Sequence, residues 1–350
     1  MMDTPSAPLV LSLDSGALRH NWRWMAAQSG EAACGAAVKA NGYGLGAVAV
    51  VQHLLAEGCR DFFVATWAEA QEIRPYTGDA AISVLHGVRE DDMAIAMALG
   101  ARPVLNTPDQ IARWRDAGGG PCDIMIDTGM NRLGLDPNTV TRDLFEGLTV
   151  ETVMSHLACA DEDHHLTAVQ RMIFTQLARK VGAQRLSLAN SAGILLGSDY
   201  AFDLTRPGLA LYGGVPRPEA VDHIRQVVRP RAQILQRRTI RGGESVGYGA
   251  TYVADRQREA AILNIGYADG YLRGFSGTGH ALADDGAVLP LLGRVSMDLV
   301  VIDVTERPSL GEGDWLEIGY DLSEASAASG LSQYELLTGL GRRFDRQWTD

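Results

Sequence analysis

Lys39 ends a short apolar run, Ala36-Ala37-Val38, and is followed at once by small residues, with Tyr43 four positions on, in GAAVKANGYGLG (35–46). A lysine delivered by a buried strand loses solvation, its pKa falls, and the neutral amine can condense with an aldehyde to a Schiff base. Other chemistry-bearing residues also close apolar runs. Asp127 ends DIMID, with Asn131 and Arg132 in the glycine-containing loop behind it. His156 follows VETVMS, Asn190 and Ser191 follow LSLA, and Arg206 ends DLTR just before Pro207-Gly208. Taken singly, each has a plainer reading: a solvated strand end, a structural histidine, a helix cap, an arginine paired with a carboxylate. Their common position at the ends of apolar runs favours the functional reading, provided the runs lie side by side.

The pattern of the chain supplies that arrangement. Strands are expected near 34–38, 62–66, 82–85, 103–105, 123–127, 150–155, 186–189 and 203–206, separated by amphipathic segments such as 91–100 and 164–182. In the latter, Leu166, Val169, Ile173, Leu177 and Val181 recur at helical spacing as the core face, and flanking Met172 and Phe174 also read as core. Eight strands alternating with helices suit a closed (β/α)8 barrel, whose active sites form at the C-terminal ends of the strands. A doubly wound sheet fits less well, because no GxGxxG follows the first strand. The fold class is therefore α/β, a (β/α)8 TIM-type barrel over 14–224. From about residue 225 short β runs punctuated by glycine take over, and a C-terminal all-β domain of 225–350 is expected to include the N-terminal strand within 1–13. Asp14 or Ser15 is placed to cap the first helix. The loops after strands seven and eight are the usual phosphate site of a barrel, and here they supply the Ser191 hydroxyl and backbone amides near Gly208.

Composition narrows the class. The 350 residues carry a formal net charge of −12 with basic residues scattered, which argues against a nucleic-acid partner. The four cysteines form no CxxC pair and read as reduced, which fits a reducing compartment. No run suggests a signal peptide or a membrane helix, so the expectation is a soluble cytoplasmic protein with no metal and no membrane partner.

AVKANGYG resembles the pyridoxal-phosphate attachment motif of the alanine racemase family. DTGMNRLG (127–134), SHLACADE (155–162), LANSAG (188–193), RPGLALYG (206–213), VGYGATY (246–252), IGYADGY (265–271), GRVSMD (293–298) and YELLTGLGRR (334–343) follow in that family's order over nearly the whole chain. The resemblance implies a head-to-tail homodimer with shared active sites, acting on an amino acid with pyridoxal 5'-phosphate as cofactor. It makes Lys39 the cofactor lysine and one of two catalytic bases, and Tyr248 the second base, supplied by the opposite subunit. Arg206 matches the residue bonded to the pyridine nitrogen. His156 matches the residue linking Arg206 towards the catalytic tyrosine. Tyr43, Asn190, Ser191, Gly208 and Leu209 match the cofactor-binding set, with Tyr43, Ser191, Gly208 and Leu209 at the phosphate. Arg132, Met297 and Tyr267 match substrate-binding positions, the last two reaching across the dimer interface. The implied activity is interconversion of L- and D-alanine, supplying D-alanine for peptidoglycan.

Two departures stand out. Many members carry a carbamate-modified lysine two residues before the DTG aspartate, where this chain has Met125. Near the C-terminus, a tyrosine that limits substrate size and touches the phosphate aligns with Arg342, one residue from Arg343. The alternative reading is therefore the same chemistry with serine or broad specificity. A related decarboxylase of basic amino acids and a non-catalytic cofactor carrier are the rivals from other classes.

Overall fold

A computed structural model describes residues 7–349. Leu18–Arg225 forms one compact unit; the described residues up to Ala17 form a second with those from Gln226 onward.

In the first unit the barrel strands are Ala33–Cys34 (resuming after Gly35 as Ala36–Ala37), Asp61–Val64, Ala81–Val84, Arg102–Leu105, Cys122–Met125, Val150–Met154, Arg185–Ser187 and Leu204–Thr205. Their neighbours pair in parallel. The ring closes through backbone bonds from Asp203 N–H to Leu186 O (3.0 Å), Arg206 N–H to Ala189 O (2.9 Å), Gly35 N–H to Thr205 O (3.0 Å) and Ala37 N–H to Pro207 O (2.9 Å). Phe62, Val64, Val84, Leu105, Ile124 and Val153 are fully buried, as strands covered on both faces require.

One expected face is corrected. Helix His165–Val181 buries Thr167, Gln170, Phe174, Ala178 and Val181, while Met172 lies exposed. The apolar stripe is rotated because Gln170 has polar work inside. Its amide nitrogen donates to His156 O (2.9 Å) and Thr128 Oγ1 (3.3 Å), and its oxygen accepts from Ala158 N–H (2.9 Å).

Towards the N-terminal ends of the strands the interior is ionic. Asp61 pairs with Arg185 at 2.6 Å and lies 3.7 Å from Arg102. Arg102 also lies 3.4 Å from Asp123, which is fully buried and accepts from Ser83 Oγ (2.6 Å) and Thr152 N–H (3.0 Å). Asp61, Arg102 and Arg185 each open their strands, and Asp123 is the second residue of its own.

In the second unit the central strand, Val228–Ile240, pairs antiparallel with the N-terminal strand Leu9–Asp14, which pairs parallel with Asp345–Thr349. An irregularity between Ile234 and Gln236 breaks its pairing with Arg258–Leu263, which in turn pairs with Val300–Asp303. The N-terminal strand thus finds its partners in the C-terminal third, and Asp14 caps the following helix by accepting from Ala17 N–H at 2.7 Å.

Candidate active site

The chain leaves the first barrel strand at Lys39 and enters a left-handed turn. Ala40 (φ 52°, ψ 47°), Asn41 (54°, 50°) and Gly42 (61°, 46°) are followed by Tyr43 at φ 54°. Only glycine adopts this region without strain, so two alanine/asparagine positions and a tyrosine are held there by contacts. Gly42 N–H bonds Val38 O, and Gly44 N–H bonds Ala40 O, both at 2.8 Å. Asn41 Oδ1 accepts from Ala47 N–H at 2.9 Å, and Glu69 Oε1 accepts from Ala40 N–H at 2.8 Å. The turn fixes Lys39 at the barrel mouth and swings Tyr43 inward.

Lys39, Arg132, His156 and Arg206 come within electrostatic reach of one another there. Burial lowers the Lys39 pKa, and the Arg132 and Arg206 charges lower it further against an opposing pull from Glu69. His156 falls to about 3, first through burial and then through Arg206, Arg132 and Lys39, so its imidazole is neutral. Arg206 is buried, donates to Ser187 Oγ and to Ser155 O (2.5 Å), and lies 5.8 Å from the Phe63 ring centroid. Burial brings it to about 10, so it keeps its charge at neutral pH.

Asp127 organises the Arg132 loop. Its carboxylate accepts from the backbone N–H groups of Gly129 (2.9 Å), Met130 (2.9 Å), Asn131 (3.1 Å) and Arg132 (2.9 Å). Burial opposes its charge, but these donors prevail and hold its pKa below the usual carboxylate range. The Arg132 side chain is exposed and shows no ion pair among the described residues, and Met125 is buried. Arg132 is therefore placed through its backbone.

A second group of residues forms a small cradle. Ser191 Oγ accepts from Gly208 N–H (2.9 Å) and Ala210 N–H (3.3 Å). A Cβ on Gly208 would stand 2.3 Å from Tyr43 Oη, so only glycine fits against that phenol. The Tyr43 ring stacks on Tyr212 at 4.5 Å, and Tyr212 Oη donates to Ala37 O at 2.8 Å. Leu209 is buried at the start of the next turn. Asn190 reaches the same rim, but its side-chain oxygen caps Ser191–Ile194 by accepting from Gly193 N–H at 2.8 Å. An amine of lowered pKa, two nearby cationic side chains with a neutral imidazole, and a hydroxyl–amide cradle closed by a phenol suit a phosphorylated aldehyde.

In the second unit, Tyr248 is 63% exposed on a turn between Ser245–Val246 and Tyr252–Val253. A cluster of Ile240, Val246, Ala254, Ala260 and Leu292, with Tyr252 and Val301, anchors that turn from below. Met297 is likewise 53% exposed. Backbone bonds from Tyr267 N–H to Ser296 O and from Ala268 N–H to Met297 O, both 3.0 Å, zip their two turns together. Gly266 permits this, since a Cβ there would meet Met297 O at 2.3 Å. Arg343 locks the arrangement, bonding buried Asp269 through Nε (2.6 Å) and Nη2 (2.7 Å), and Asp298 through Nη1 (2.6 Å). Arg342 is exposed and stands outside this network. Sequence reasoning passed over Gln170, Asp269, Asp298 and the locking role of Arg343; no local pattern announces them. It also passed over Glu69, for which the Thr66-x-x-Glu69 capping box was a visible signal.

Fold and site together define an enzyme class: a parallel barrel that presents a lysine and a hydroxyl–amide cradle at one mouth, joined in sequence to a β unit. The family profiles described as "Alanine racemase, N-terminal domain" and "Alanine racemase, C-terminal domain" match residues 13–216 and 227–348. An alanine racemase of Acidiphilium cryptum is 42% identical, with 96% of this chain and 98% of the relative covered. One of Methylobacterium nodulans is 41% identical, covering 100% and 98%. The crystal structure of the Bartonella henselae alanine racemase with covalently bound pyridoxal phosphate matches at TM-score 0.91 and 34% identity, covering 99% of this chain and 100% of that one. The chain belongs to the alanine racemase family, and is an isomerase.

Proposed function

We propose that the chain interconverts L- and D-alanine with pyridoxal 5'-phosphate, using Lys39 of one subunit and Tyr248 of another as opposed proton carriers. The observation that carries this is the convergence of the Lys39 amine, of lowered pKa, with Arg132, His156 and Arg206 at one barrel mouth. The bound cofactor supplies the electron sink that stabilises a carbanion at the substrate α-carbon. Ser191, Tyr43, Gly208 and Leu209, with Asn190 beside them, would hold its phosphate end. Arg206 would be the residue at its ring nitrogen; a guanidinium offers donors only, so it would favour an unprotonated nitrogen and a weaker electron sink.

Lys39 Nζ takes the α-proton of one enantiomer while Tyr248 Oη delivers a proton to the opposite face; the roles reverse for the other enantiomer. His156 cannot share Arg206's charge, so it serves as a neutral link from Arg206 towards Tyr248. Arg132 and the Met297 backbone amide orient the carboxylate, and Tyr267 narrows the entrance. The exposure of Tyr248 and Met297 on the β unit supports a homodimer in which each copy completes the other's site. D-Alanine for peptidoglycan is the proposed use, in the cytoplasm. Circular dichroism of L-alanine incubated with the chain and cofactor tests the reading. Loss of optical activity that depends on Lys39 supports it, and an unchanged signal at saturating cofactor refutes it.

Arg342 favours a second reading, relaxed specificity, because the chain has no tyrosine at that position to limit substrate size. Turnover of alanine, serine and lysine compared side by side decides it; serine ranking above alanine would establish the broader activity.

A further inference from the structure

We propose that Glu69 is a positioning residue for Lys39, its carboxylate pinning the left-handed turn that carries the amine and opposing the cations that crowd it. The inference rests on the reading of Lys39 given above. Glu69 lies on helix Trp67–Ile73, which follows the second barrel strand. One of its oxygens, Oε2, accepts from Ala65 N–H (2.7 Å) and Thr66 N–H (3.2 Å), the ordinary work of a helix-capping glutamate. The other, Oε1, crosses to the neighbouring strand end and accepts from Ala40 N–H at 2.8 Å. That amide belongs to the residue directly after Lys39 and is the first of the strained turn. A single carboxylate therefore joins the C-terminal ends of strands one and two at the reacting lysine.

Geometry and charge act together. Positive φ at Ala40, Asn41 and Tyr43 persists only where surrounding bonds outweigh the strain. Glu69 supplies one such bond from outside the turn. The groups facing Lys39 are the Arg132 and Arg206 cations, the neutral His156 ring and the Glu69 carboxylate. Glu69 is the one anion in that set. Without it the amine would sit among like charges, and its backbone could relax out of the left-handed region.

The test uses the full chain, stripped of cofactor and mixed with pyridoxal phosphate across a range of pH while the visible absorbance of the loaded lysine is followed. Condensation needs the neutral amine and expels water, so the pH midpoint of the loading rate reports Lys39. Glu69→Gln removes the charge, and the midpoint is expected to fall by about half a pH unit or more. Glu69→Asp keeps the charge but shortens the reach; its expected result is an unshifted midpoint with slower loading, and this variant serves where Glu69→Gln does not fold. Thr66→Ala disrupts the helix cap without touching Ala40 and should load as the unaltered chain does. Equal midpoints in Glu69→Gln and the unaltered chain, or the same shift in Thr66→Ala, would overturn the proposal by reducing Glu69 to a cap. A chain that loads the cofactor normally yet does not racemise alanine would instead overturn the proposed function, since loading is measured apart from turnover.

Discussion

His156 shows how position changes a residue's chemistry. Burial, Arg206, Arg132 and Lys39 hold it at about 3, against 6.5 for a free histidine. An unfolded chain takes up a proton at His156 as pH falls through 6.5, whereas the folded chain does so only near 3, so this residue costs stability progressively over that window. His156→Gln is expected to flatten the fall in urea midpoint between about pH 7 and about pH 5. An unchanged slope would show that the ring is not held neutral. Tyr248 makes the complementary case. With no phenolic hydroxyl it cannot carry a proton, so Tyr248→Phe is expected to cut kcat by roughly a hundredfold or more while cofactor absorbance persists. Retained turnover would remove the second base from the mechanism. The pKa of Lys39 is likewise set by residues far from it in sequence, Arg132 and Arg206 among them.

At the scale of elements, the β/α alternation was legible because buried parallel strands read as apolar runs, and each expected strand overlaps one in the structure. The face of helix His165–Val181 was misread because a buried glutamine looks like a surface residue until its three bonds are seen. The left-handed turn after Lys39 was hidden for a related reason: Ala40 and Tyr43 carry no preference for positive φ, and tertiary bonds impose it. Ion-pair partners were equally silent, since Asp269, Asp298 and Arg343 meet only when three segments fold together. That junction carries its own prediction. Arg343→Ala frees the turns bearing Tyr267 and Met297, so KM for alanine is expected to rise more than kcat falls, with a Tm loss of several degrees. A change in kcat alone would contradict the positioning role.

Within the barrel, the buried ionic cluster and the proposed site lie towards opposite ends of the strands, although the Asp123 charge still supports that of Arg206. The Asp61–Arg185–Arg102–Asp123 cluster lies towards the N-terminal ends of the strands, and the proposed catalytic groups lie at the opposite mouth. Asp123→Ala removes a buried partner and is expected to cost roughly 3–5 kcal/mol by urea unfolding. A loss under about 1 kcal/mol would mark the cluster as no stronger than a surface pair. The assembly of two copies carries the central claim, that Lys39 and Tyr248 of different subunits share one site. Its most direct test mixes two inactive variants, Lys39→Ala and Tyr248→Phe, under conditions that let subunits exchange. If the site is shared, each hybrid dimer regains one intact site, and statistical mixing restores activity to about a quarter of the unaltered enzyme's. If both bases belong to one chain, no hybrid has an intact site, and a mixture that stays inactive while hybrid dimers demonstrably form would contradict the account.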